Sequence, residues 1–258
     1  MIGFFIKKAF FDGWDNLISL VVLNLGYLVV LGALYGVVEL FSVSVGLALF
    51  AAIVAMALNS LYVAAVNYQT QSLVNGRREG FAHFKEGFAA MFSHAMVHLL
   101  VSVVLVTVSI FVIPFYLSYG NLFTLVLAIV LFWVVIIGVF AMFYYYPISI
   151  QMPQDGPFKS LKKSLIIVAD NIGFTIFFAL YQIFLSILSV FFATIMPGVA
   201  GLQNAKCVAV SLLMLKYDYL ENNPDSQRKN IPWDELLFDE REKVGHRSLR
   251  SLIFPWKD

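Results

Sequence analysis

Few side chains in this sequence have reactive chemistry, and their spacing limits what each can do. His94 and His98 stand four residues apart, so on a helix both imidazoles share one face. A zinc site needs at least one further ligand and often two. His83 is the nearest addition, and no cysteine or carboxylate is locally paired with the two histidines. His94 and His98 are therefore a weak metal candidate, and no cofactor is expected. Glu39 and Lys206 are the two charged residues expected on one side of the long apolar runs. They form a candidate ion pair joining the first and last parts of the chain, or each reaches the interface separately. Asn24, Asn59 and Gln182 lie inside apolar runs. Amides there hydrogen-bond between helices, for about 0.6–2 kcal/mol each, or line a polar path together with Thr107 and Ser109. The single cysteine, Cys207, excludes an internal disulfide. No His-Glu-x-x-His, Gly-x-Ser-x-Gly or phosphate-binding glycine loop is present, so the expected function is non-enzymatic.

The elements that must position these residues follow from composition. Hydrophobic residues make up 60% of the chain and charged residues 13%, more apolar surface than a soluble core can hide, so an integral membrane protein is expected. A net charge of +1 suggests no nucleic-acid partner. Roughly 20 apolar residues cross ~30 Å of hydrocarbon. Leu17 to Phe41, Val43 to Val66, Ala95 to Tyr116, Leu122 to Tyr146 and Ile172 to Met196 meet that length. Val199 to Leu215 is marginal, because it is short and carries Gln203, Asn204 and Lys206.

A recurring spacing supports the sixth span. Lys7-Lys8, Lys85-Glu86 and Lys162-Lys163 each precede a polar pair by six residues: Asp15-Asn16, Ser93-His94 and Asp170-Asn171. Two apolar runs follow each copy, and Val199 falls where a second hairpin helix belongs. The expected fold is all-α, with six transmembrane helices in three tandem hairpin pseudo-repeats at 1–76, 77–154 and 155–221. An amphipathic cytoplasmic segment precedes each hairpin. Asp15, Ser93 and Asp170 are expected to cap the following helices. Phe4, Phe5, Phe11 and Trp14, then Phe81, Phe84, Phe88 and Phe92, then Phe158, Leu161 and Leu165 are expected to turn toward lipid. Tyr62, Tyr68, Tyr144, Tyr145, Tyr146, Tyr217 and Tyr219 form the expected interfacial aromatic belt, with a binding box as the alternative.

Lys and Arg cluster before the first, third and fifth spans and after the sixth, which places both termini in the cytoplasm. Residues 222–258 form a hydrophilic tail, too small for an independent enzymatic domain. Within it Pro232 through Val244 is expected to be a short helix, and Arg247 to Trp256 a stretch able to return to the membrane surface.

The segment Leu73-Val-Asn-Gly-Arg-Arg-Glu-Gly-Phe-Ala-His-Phe-Lys-Glu-Gly-Phe88 is similar to the basic, then Phe-rich, cytoplasmic segment of the YesL family of small bacterial membrane proteins. The Pro147 region, followed by Phe158 to Leu165, is a second point of likeness. The resemblance implies a multi-pass protein of the bacterial cytoplasmic membrane. Its partners would be the lipid bilayer and other membrane proteins such as a transporter. Its role would be accessory, assembly or regulatory, near carbohydrate uptake. The alternative is a small-solute transporter or channel along the pseudo-threefold axis.

Overall fold

The computed structural model describes residues 1–226, 228, 230–245 and 247. Its architecture is all-α: 84% helix with no strand among the described residues. Helix α1 (Ile2–Asp15) leads into α2 (Leu17–Leu40), which turns back as α3 (Val45–Val74). Helix α4 (Phe81–Ala90) leads into α5 (Phe92–Thr107), a π turn (Val108–Val112) and α6 (Ile113–Ser118), and α7 (Leu122–Gln151) returns. Helix α8 (Pro157–Asp170) leads into α9 (Ile172–Phe191), and α10 (Gly198–Asn222) returns. Short helices α11 (Trp233–Leu236) and α12 (Phe238–Val244) follow. Among the described residues six helical segments are long and apolar enough to cross a membrane, including Gly198–Asn222, which makes this a multi-pass membrane protein.

Local chemistry sets several boundaries. Ser44 Oγ accepts from Leu47 N at 3.5 Å, and Asn121 Oδ1 from Thr124 N at 2.9 Å, so α3 and α7 open on side-chain caps. The π turn ends two residues before Pro114, which has no N–H to donate to the turn before it. The expected single helix from Pro232 is broken at Leu237, which is fully buried in the core rather than spaced along one exposed face. Of the stretch from Arg247 to Trp256, only Arg247 lies among the described residues.

The junctions between amphipathic helix and span differ from expectation. Each is a one-residue break, at Asn16, Met91 and Asn171, and no side-chain cap opens α2, α5 or α9. Nearly continuous helices leave few free N–H groups to cap. Asn16 Nδ2 instead donates back to Asp12 O at 2.9 Å, and Asn171 Nδ2 to Ile167 O at 3.0 Å. Asp15 pairs with Arg247, Asp170 holds Lys216, Tyr217 and Arg228, and Ser93 Oγ lies 3.5 Å from His94 Nδ1.

Helices α3, α7 and α10 contact one another and form an inner trio, flanked by α2, α5 and α9. Helix α1 packs on α10, α4 on α3 and α8 on α7. The position of α10 explains its weak apolar signal. Within its most apolar 18 residues 72% are buried inside the protein, against 6% for Phe92–Ser118 and 11% for α7. A helix shielded from lipid can carry polar groups that bond its neighbours.

Many aromatic rings also face inward. Phe5 and Phe11 are buried in protein, and Phe5 sits edge-on to Phe174, Phe177, Phe178 and Tyr181. Phe81, Phe92 and Phe158 remain exposed as expected. Tyr144, Tyr145 and Tyr146 are core residues rather than an interfacial belt, and each hydroxyl bonds another helix. Their partners are Thr175 Oγ1 at 2.9 Å, His94 O at 3.2 Å and Ser60 O at 2.8 Å.

Candidate functional site

The inner trio converges on a cavity of about 680 Å³ at the C-terminal ends of α3, α7 and α10. Tyr68 and Gln71 of α3 and Asn75 at its C-cap line it, with Ser211, Leu215 and Asp218 from α10. These spacings of three and four place each set on one helix face. Helix α7 contributes Gln151 from its last turn. Gln151 Nε2 donates to Gln71 Oε1 at 3.2 Å and to Ser211 Oγ at 3.1 Å. Gln71 Nε2 donates to Ser211 Oγ at 3.2 Å and to Asn75 Oδ1 at 3.3 Å. Each helix of the trio thus gives one polar group to a neutral, hydrogen-bonded floor.

One turn deeper the trio is filled. Asn67 Nδ2 donates to Gln203 Oε1 at 3.0 Å, and Thr70 Oγ1 lies 3.4 Å from Cys207 Sγ. Val66, Asn67, Thr70, Cys207 and Val208 have no exposed surface. The cavity is therefore a blind vestibule.

The rim is charged. His83 stacks on Tyr68 with centroids 4.4 Å apart, and its Nδ1 lies 2.7 Å from Glu79 Oε2. Glu240 reaches the rim from α12, and its Oε2 lies 2.9 Å from Lys8 Nζ on α1. Burial alone would raise the Glu240 carboxyl, but the hydrogen bonds and charges of Lys243 and Lys8 outweigh it and hold the pKa below the usual range. Lys8 is buried; desolvation works against its charge, and Asp12 and Glu240 overcome it and raise its pKa. In the turn before α8, hydrogen bonds from Lys159 and Lys163 hold Asp155 below the usual carboxylate range.

A second charged cluster anchors the start of the tail. Burial pushes Asp170 up, but Lys216 and Tyr217, with the charge of Arg228, hold it lower than an ordinary aspartate. A released Asp170 titrates near ~3.9 and the anchored one below that. The anchor therefore has full strength above ~3.9 and is lost as pH falls through the lower anchored value. Backbone protection from 216 to 226, taken as exchange relative to the intrinsic amide rate at each pH, should be constant from pH 8 to 5 and fall below about pH 4. Loss of protection already at pH 6 would contradict this assignment.

The residues singled out from sequence lie apart from this vestibule. Asn24 Nδ2 donates to Ile195 O at 2.9 Å and Pro197 O at 2.8 Å, and its Oδ1 accepts from Ala200 N at 2.7 Å. Asn59 Oδ1 accepts from Tyr27 at 2.7 Å, and Gln182 Nε2 donates to Leu202 O at 3.3 Å. Each of the three amides bonds another helix, and Asn24 also holds the segment that leads into α10. Thr107 and Ser109 are exposed, so the five do not converge on a path. The Glu39–Lys206 pair is not formed. Glu39 is exposed and makes no ion pair among the described residues, while Lys206 Nζ sits 5.5 Å above the Phe143 ring. The two are separated because α10 is the central helix and carries Lys206 two turns past its start, against α7.

His94 and His98 do share a face, and both rings lie against Tyr145. His98 Nδ1 is 3.0 Å from Ser60 Oγ, and its ring stacks on Tyr146 at 4.6 Å. No group of three His, Cys, Asp or Glu suited to a metal ion occurs among the described residues.

The floor residues escaped the sequence because the apolar runs end before the helices do. The second run ends at Val66 while α3 continues to Val74, and the fourth ends at Tyr146 while α7 continues to Gln151. The polar run Asn67-Tyr-Gln-Thr-Gln-Ser72 was the available signal. Comparison with known proteins gives no relative: no family model matches this chain, and neither a curated protein nor a solved structure is significantly similar to it.

Proposed function

We propose that this protein is a non-enzymatic accessory or regulatory component of a bacterial cytoplasmic membrane, acting by contact and by binding at its axial vestibule. The observation that carries this reading is the blind axis. A polar floor receives one group from each inner helix, and the next layer is closed by fully buried side chains. A conduit would need polar groups to continue past that layer. The resemblance to the YesL family suggests a transporter, in carbohydrate uptake, as the partner.

The same reading takes the chain as three tandem units, 1–76, 77–154 and 155–221, with residues 222–258 as the tail. It is supported by the three one-residue breaks and by the packing of each amphipathic helix on the second helix of the neighbouring unit. Both termini are assigned to the cytoplasm from the distribution of Lys and Arg. Contact of α1 with α12 supports assigning the N-terminal helix and the tail to the same side.

Reconstituted protein should leave liposome permeability to glycerol and glycine at the empty-liposome rate. Affinity capture from gently solubilised membranes should retrieve a transporter subunit at stoichiometric yield. Swelling several-fold faster than empty liposomes would replace this reading with a conduit.

A further inference from the structure

A second cavity has a different character from the vestibule. It is an apolar groove of about 170 Å³ between α1–α2 and α9, floored by α10. Its walls are apolar side chains such as Phe10, Leu17, Leu20, Leu188 and Phe192, and Gly201 and Ala205 give the floor its depth. Its flanks are apolar and exposed at Val22, Leu25, Ile187 and Phe191, so the mouth opens on the surface that faces the hydrocarbon.

Two amides lie in this lining, and their hydrogen-bond accounts differ. Both donors and the acceptor of Asn24 are used, by Ile195 O, Pro197 O and Ala200 N. Asn204 is only 2% exposed, and its Nδ2 donates to Ala9 O at 3.3 Å, but its Oδ1 has no partner. A buried acceptor without a donor is costly, and a ligand that supplies one recovers that cost. The groove thus offers mostly apolar walls and, at Asn204, a vacant amide acceptor, with the rings of Trp14 and Tyr181 also in its lining.

We propose that this groove binds a single-chain lipid carrying one hydrogen-bond donor, of which a long-chain alcohol is the simplest form. Its hydroxyl donates to Asn204 Oδ1, and its first methylenes lie along Gly201, Ala205 and Leu188. A void near 150 Å³ accepts a benzene ring, so this one takes the hydroxyl and about six carbons, with the remaining chain in the bilayer. A carboxylate or an ester brings only acceptors and gains nothing at Asn204. An alkane fills the groove but leaves the acceptor vacant.

The test uses the full chain in nanodiscs, photolabelled with a diazirine derivative of 1-dodecanol and mapped by peptide mass spectrometry. Labelling should concentrate on the α1, α9 and α10 peptides of the groove. Unlabelled 1-dodecanol should compete about tenfold better than dodecyl methyl ether, because only the alcohol can donate. Asn204→Leu removes the acceptor at similar volume and should abolish that preference. Leu188→Trp fills the groove from α9 without touching Asn204 and should abolish the labelling itself. Equal competition by alcohol and ether in the parent protein would overturn the proposal. So would labelling spread evenly over the lipid-facing helices and unchanged by Leu188→Trp.

Discussion

Asn24→Leu should destabilise this protein by roughly 3–5 kcal/mol, the largest effect expected from any single polar substitution in it. Asn24 acts across helices. From the third turn of α2 its carboxamide accepts from Ala200 N in the first turn of α10 and donates to two carbonyls of the segment just before that helix. Helix α10 has no side-chain cap of its own, so Asn24 does in trans what an N-cap does in cis. Leucine leaves one N–H and two carbonyls unpaired in surroundings where water does not replace the bonds. Asn24→Asp keeps an acceptor for Ala200 N but loses both donors, and should fall between Leu and the parent. Gly198→Ala tests the same joint independently. Gly198 has φ of +60°, and a Cβ there would overlap the Asn24 carboxamide, so alanine should also be strongly destabilising. Unfolding in a denaturing-detergent titration measures all three. An Asn24→Leu protein within about 0.5 kcal/mol of the parent would refute the trans cap.

Lys8→Met should release the tail from α1 and cost about 2–4 kcal/mol. Lys8 Nζ lies 3.0 Å from Asp12 Oδ2 and 2.9 Å from Glu240 Oε2, and its side chain is 3% exposed. Methionine keeps the packing volume but strands two largely buried carboxylates. Asp12 is already desolvated enough that its pKa is raised despite Lys8, with Glu240 and Asp15 adding to the effect, so losing the lysine favours protonation. Glu240 keeps Lys243 at 2.6 Å and should suffer less. Hydrogen exchange across 238–244 should rise by an order of magnitude or more in Lys8→Met. Glu240→Gln should have a smaller effect, and the double variant should cost less than the sum, since both substitutions break one contact. Additive losses, or unchanged exchange in Lys8→Met, would mean that the tail is held elsewhere. The vestibule is involved as well, because Glu240 is also part of its rim.

Fold class and the order of elements were legible before any tertiary contact was known. Apolar runs of about 20 residues interrupted by basic amphipathic segments have one economical solution in a bilayer, a series of helical hairpins, because every backbone polar group must be paired within its own helix. The recurring lysine spacing placed the sixth span where hydropathy alone was marginal. Asn24, Asn59 and Gln182 were legible as interhelical amides, since an amide at depth has few alternatives.

Which helix faces meet follows from packing alone. Hydropathy treats a lipid-facing leucine and a protein-facing one alike, so it could not reveal that α10 is central, or that polar groups on α10 mark shielding rather than a failed span. The same blindness misplaced Phe5 and the Tyr144–Tyr146 run, because an aromatic ring is equally at home at an interface and in an edge-on protein cluster. It also joined Glu39 to Lys206, since opposite charge in sequence carries no distance. The vestibule floor needs Gln71, Gln151 and Ser211 from three helices that are adjacent only after packing. Two of the three lie beyond the apolar runs, where helices continue because neighbouring helices, rather than lipid, satisfy and bury them.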